Sequence, residues 1–309
     1  MIQNTATDTL NYSRKVSFAE SARACWWAVL NSLSQKPKVL LPNYIGITDR
    51  EGSGIFDPIS DLALDYGFYE LEDNLSISPE KLKLALEHGN YDVVLFVHYF
   101  GQKIQNIEQL VKLAKSHQLL VVEDCAHLYN YNTTGSNAGS FGDFTFYSLH
   151  KNFPMPEGGM LVQNNETLEE PQIQVQAKRE FAKELFAYDA QAIAVKRINN
   201  YKVYDRLIPE MTGIRPLRSY QEGDLPHNYP VVIDDGLRES LYFWLIDKNV
   251  RLMALYYRLI DPILADERHK NMHKLANDIL NLPVHQDTKQ DDIVRLVELI
   301  DKGIKALKA

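Results

Sequence analysis

Three side chains near the middle of this 309-residue chain carry reactive chemistry that a parallel sheet could bring to one rim. Asp124 and His127 follow the apolar run Leu119–Glu123 (LLVVE), and Lys151 follows Phe144–Ser148 (FTFYS). In open parallel sheets ligands sit beyond the carboxyl ends of the strands, so an acid and an amine would meet at neighbouring tips. A lysine amine that loses its proton forms an imine with an aldehyde. A carboxylate across from it keeps a pyridine nitrogen protonated and turns that ring into an electron sink. A phosphate wants backbone N–H groups at a helix start together with a hydroxyl or a cation. Those are the needs of pyridoxal phosphate, and the chain supplies candidates for all three.

The elements that must position these groups alternate. Residues 17–33 read as an amphipathic helix starting near Ser17, with Glu20 completing a capping box. Lys38–Pro42 is a short buried strand, followed by a glycine-rich loop from Gly46 to Gly54. A helix is expected over 57–64, a strand at 68–71 and a helix at 78–88. Then come strand 93–98, helix 104–117, strand 119–123 and strands 144–148 and 160–163. Continuous apolar strands between helices imply an α/β fold, a mainly parallel sheet covered by helices on both faces. Residues 165–200 are polar, alanine-rich and expected to be helical throughout. The stretch 209–230 holds four prolines and reads as loop, before strand 229–233, helix 236–248 and a terminal helix over 291–307. A boundary near residue 200 divides the chain into a large domain, 1–200, and a smaller C-terminal α+β domain, 201–309.

Composition narrows the class. Hydrophobic residues make up 45% and charged residues 24%, as in ordinary globular proteins. A net charge of -8 disfavours nucleic acid and anionic membranes as partners. Ala24–Leu33 is too short, and Leu241–Ile260 too interrupted by charge, to span a bilayer. No metal site is expected, since Cys25 and Cys125 lack neighbouring ligands at suitable spacing. They read as small buried hydrophobes of a reducing compartment. The first fifteen residues contain no apolar core of a secretory signal, and the expected location is cytoplasmic.

Five motifs in order carry a resemblance. Val97-His98-Tyr99-Phe100-Gly101 is followed by Val122-Glu123-Asp124-Cys125-Ala126-His127 and by Gly139-Ser140-Phe141-Gly142-Asp143. Ser148-Leu149-His150-Lys151 and Glu157-Gly158-Gly159 complete the set. Together they resemble the DegT/DnrJ/EryC1/StrS sugar aminotransferases, which implies the aspartate-aminotransferase fold, fold type I. Ile279–His285 is similar to the small domain of that family. The resemblance implies that Lys151 holds pyridoxal 5'-phosphate and shuttles a proton, and that Asp124 pairs with the ring nitrogen. It places His127 beside the ring, Ser148 on the phosphate, and Arg23 and Ala24 in a phosphate turn, Ser21-Ala22-Arg23-Ala24. Tyr44 would stand near the cofactor. It also implies a homodimer, with an amino donor (usually glutamate) and a nucleotide-linked keto-sugar as substrates.

The motifs depart from the family in places. Ser148 lies three residues before Lys151 where the family has five, and Ala22 stands in place of a glycine. An ungapped reading puts His150 at the lysine position, and family members with histidine there are sugar dehydratases. A third reading is a binding or regulatory protein that has lost turnover, motivated by a short N-terminal arm and a 165–200 region without the expected asparagine-bearing loop. Residue by residue, Tyr44 fits core packing as well as ring contact, and Arg23 fits a helix-surface charge. The loop Arg50–Gly54 fits a lid or a connector. Trp26 and Trp27 point to different sides of a helix, so at least one belongs to the core.

Overall fold

The computed structural model describes residues 14–131, 133–173, 185, 187–252 and 255–309. Its first sheet has seven strands: β1 (Lys15–Ala19), β2 (Val39–Pro42), β3 (Tyr66–Tyr69), β4 (Val93–Val97), β5 (Leu120–Asp124), β6 (Phe144–Ser148) and β7 (Gly159–Gln163). They lie in the order β1-β7-β6-β5-β4-β2-β3. Five consecutive neighbours are parallel, and β7 runs against both β6 and β1. The apolar runs explain the arrangement, because VVLFV of β4 and FTFYS of β6 are buried at every position. Strands buried on both faces need helices above and below them. The helix Ile107–Ser116 meets that need by burying Ile107, Leu110, Val111 and Ala114, a stripe at helical spacing.

A second, antiparallel sheet combines β8 (Ile214–Pro216), β9 (Asn228–Ile233) and β10 (Ile279–Pro283) in the order β10-β9-β8. It packs with the terminal helix Gln290–Lys308, whose Ile293, Leu296, Val297, Ile300 and Ile304 face a separate apolar core. The helix Ala190–Leu207 contributes Tyr201, Val203 and Tyr204 to this core and Ala190 and Ala194 to another beside β6 and β7. Position 200 lies inside that helix. Leu259, Ile263, Met272 and Leu275, from the C-terminal third of the chain, join the core of the seven-stranded sheet.

Several expectations shift; the 209–230 stretch, read as loop, contains β8, and the strand expected at 68–71 is Tyr66–Tyr69. Residues 15–19 form β1, paired with β7, and the first helix covers Ala22–Asn31. Its cap is Ser21, whose Oγ accepts the Ala24 N–H at 3.1 Å, so Ser17 and Glu20 make no capping box. The helix expected from 104 starts at Ile107, after a tight turn at Tyr99–Gly101. Residues 165–173 are not helical; 174–184 and 186 lie outside the described residues, and the regular helix begins at Ala190.

Candidate active site

The carboxyl ends of β4, β5 and β6, the start of the Ala22–Asn31 helix and the segment 46–55 enclose a cavity of about 570 Å³. Asp124, the last residue of β5, and Ser148, the last of β6, both line it, as do His127, Lys151, His150 and Arg23. Side chains separated by 27 residues thus share one space because neighbouring parallel strands end on the same rim.

Lys151 sits on the single turn Leu149–Asn152 that follows β6. Its Nζ lies 3.0 Å from His127 Nε2. The proton in that contact can be placed. The Phe100 N–H donates to His127 Nδ1 at 3.2 Å, which puts the ring proton on Nε2 and makes a neutral Lys151 amine the acceptor. Burial holds the His127 pKa well below the usual histidine range. Burial likewise lowers the Lys151 pKa, against the opposing pull of Asp124 and Glu51. An amine kept free of its proton is the form that attacks an aldehyde.

Asp124 is pushed up to about 6 by burial, opposed by the Ala126 N–H at 2.7 Å and by Lys151. It therefore holds a carboxylate at neutral pH whose hydrogen bonds are few, which suits a cationic partner. Glu123, next along the strand but on its other face, is fully committed. It accepts from the Gly139, Phe141 and Gly142 N–H groups at 2.7–2.8 Å and from His98 Nε2 at 3.0 Å. Burial alone would raise its pKa, but the His98 contact and these amides outweigh that and hold it low. Two adjacent acids thus differ by side: Glu123 anchors the 139–142 loop, and Asp124 faces the cavity.

The remaining expected residues divide. Ser21, Ala22 and Arg23 line the cavity at a helix start, where N–H groups lack intrahelical acceptors. Gly159 makes this possible: a Cβ there would run into the Ser21 carbonyl and sit 2.6 Å from the Ala22 nitrogen. The Arg23 guanidinium is occupied elsewhere, donating to the Glu51 carbonyl and pairing with Asp57 at 2.9 Å. It fastens the hairpin at Thr48–Gly52, which forms one wall. Ala24 does not line the cavity, and its N–H is spent on the Ser21 cap. Tyr44 does not line it either. It is fully buried, stacked on Tyr256 at 5.4 Å, and Tyr256 is the ring that faces the space. His150 lines the mouth with an exposed side chain whose Nδ1 lies 3.3 Å from Ser148 Oγ.

The 50–54 loop, read as a lid or a connector, lines the cavity as part of the 46–55 wall. Other contributors were not foreseen: Tyr256 arrives from distant sequence with no spacing to betray it. His227 stacks on His127 at 4.9 Å and 19°. Gly101 admits this arrangement, since a Cβ there would meet the His127 carbonyl at 2.8 Å and the His227 nitrogen at 2.7 Å.

Residues 58–184 match the DegT/DnrJ/EryC1/StrS aminotransferase family model. This is the family that the motif order resembles. The chain is 24% identical over 241 residues to GDP-perosamine synthase of Escherichia coli O157:H7, covering 68% of this chain and 65% of that relative. Three other curated relatives, 30%, 33% and 36% identical, are matched over only 26–28% of their length. Among solved structures, the aminotransferase TlmJ from Streptoalloteichus hindustanus superposes with a TM-score of 0.74 at 17% identity, over 95% of this chain and 87% of that one. NtdA from Bacillus subtilis with bound cofactor PMP gives 0.75 at 17% identity, over 94% and 74%. The fold is therefore that of these aminotransferases.

Proposed function

We propose that this chain is a pyridoxal-phosphate-dependent aminotransferase acting on a keto-sugar. The observation that carries the reading is one cavity holding a buried amine whose pKa burial lowers, Lys151, and a buried carboxylate, Asp124, beside an open helix start. The donor set fits the cofactor. Lys151 would bond its aldehyde, Asp124 would face its ring nitrogen, and Ser148 with the Ala22 and Arg23 N–H groups would hold its phosphate. His127, backed by His227, would lie against the ring face. When bound, the group supplies an electron sink for the pair released as a proton leaves carbon.

The rest is the work of this chain. Lys151 Nζ takes the proton from the substrate carbon and returns it, which requires the amine to be neutral near working pH. His127 Nε2–H holds that amine in place between transfers. Asp124 holds the ring-nitrogen proton, and the aromatic wall of Tyr256 limits water. Glutamate as donor and a nucleotide-linked keto-sugar as acceptor follow the family resemblance, and the name of the E. coli relative supports the acceptor class. A cytoplasmic location and a homodimer complete the reading; exposed Trp27 and Phe243 support an apolar contact between copies. Among the described residues no helix is long and apolar enough to cross a membrane.

Adding pyridoxal phosphate to the purified protein should produce a visible absorbance band that survives dialysis. Lys151→Ala should abolish the band and His150→Ala should retain it. Absence of that band in the wild type, with pyridoxamine phosphate bound only loosely, would favour sugar dehydration with His150 as the base. Production of 2-oxoglutarate from glutamate tests the amino-transfer half directly, and its absence with tight cofactor binding would favour a non-catalytic protein.

A further inference from the structure

We propose that Arg197 is the positioning residue of Lys151, fixing the reactive turn to the 284–288 loop. Arg197 lies in the Ala190–Leu207 helix and is 4% exposed. Both of its terminal nitrogens reach the Lys151 carbonyl at 3.4 Å, and one reaches the Asn152 carbonyl at 3.2 Å. Its Nε donates to Gln286 Oε1 at 3.0 Å, in the loop after β10. One turn further along the same helix, Asn200 Nδ2 donates to the carbonyls of Val284, His285 and Thr288 at 3.0–3.3 Å. A single helix therefore grips the lysine turn and the 284–288 loop together.

The physical case rests on where the charge sits. Lys151 and Asn152 are the last residues of a four-residue helix that ends abruptly, because Phe153 is extended. The final carbonyls of a helix lack intrahelical donors, and a cation placed against them satisfies both the hydrogen bonds and the helix dipole. All the hydrogen-bond acceptors of Arg197 among the described residues are neutral oxygens. Burial lowers its pKa only to about 10, so it is a cation at neutral pH. Among the described residues no carboxylate forms an ion pair with it, and Asp287 only attracts it from further off. A buried cation held mainly by neutral oxygens is costly, and a well-packed apolar side chain would be cheaper at this position. What the guanidinium adds is direction: its planar fork holds two successive carbonyls and thereby sets the bearing of the Lys151 side chain toward His127.

The inference rests on Lys151 being the reactive amine, so its test uses cofactor-free protein and needs no turnover. Arg197→Met should leave a folded protein by circular dichroism, with backbone hydrogen exchange at 150–153 faster by roughly tenfold. The Lys151 amine, followed by NMR after reductive ¹³C-methylation, should titrate about one unit higher as it leaves its buried seat. Arg197→Lys, which keeps the charge and part of the bonding, should restore exchange and titration in part. A folded Arg197→Met protein with unchanged exchange and an unmoved Lys151 titration overturns the proposal while leaving the cofactor reading intact. Loss of the visible band's dependence on Lys151 would sink the cofactor reading without altering these two measurements. Should Arg197→Met fail to fold, Gln286→Leu decides. It frees one anchor, and exchange at 150–153 should rise in the same direction, whereas no change overturns the assignment.

Discussion

Asp124→Asn should make the cofactor-free protein more stable at neutral pH while weakening its grip on the cofactor. The wild-type carboxyl is 6% exposed and titrates near 6 in the fold, against about 3.9 in an unfolded chain. The folded pKa is the higher one, so the folded state binds the extra proton between these values. Its contribution to stability is complete below about pH 3.9 and is lost as pH rises through 6. The total difference is of order 3 kcal/mol, of which about 1.4 kcal/mol falls between pH 5 and pH 8. Asparagine retains an acceptor for the Ala126 N–H and does not ionise. Urea denaturation of both proteins at pH 5 and pH 8 should show the variant gaining about 1.4 kcal/mol on the wild type across that interval. A difference independent of pH, or one that shrinks toward pH 8, would refute the claim that Asp124 is a strained carboxylate awaiting a cation. With pyridoxal phosphate present the order should reverse, because only the wild type can pair a charged ring nitrogen.

Two further substitutions test the frame around the site. Gly159→Ala drives a methyl into the Ser21 carbonyl at the start of the first helix, so it should cost about 1–3 kcal/mol and weaken phosphate binding, read by inorganic phosphate protection in thermal melts. Glu123→Gln places an amide where three backbone N–H groups and His98 converge on a carboxylate; a loss of about 3 kcal/mol is expected, and an unaffected melting temperature would deny that the carboxylate anchors the 139–142 loop.

What could be read from sequence was what depends on near neighbours. Unbroken apolar runs marked β4, β5 and β6, and the residues at or just past the ends of β5 and β6 marked a rim, so Asp124, His127 and Lys151 were legible without coordinates, while Ser148 was implied by the family resemblance. Strand β1 was not. Its residues stay extended because β7, some 145 positions away, offers a ladder, and no local pattern records that partner. For the same reason Ser21, and not Ser17, caps the first helix. Tyr44 and Arg23 show a second limit. Their positions near the cofactor turn were foreseeable, yet side-chain direction was set by tertiary partners: Tyr256 behind one, Glu51 and Asp57 beside the other. The stacked His127 and His227 and the Arg197 fork join residues from distant segments in the same way. Periodicity decides which face of an element is buried. Only packing in three dimensions decides which buried groups meet, because the free energy of a charge or hydrogen bond depends on neighbours that the chain brings from afar.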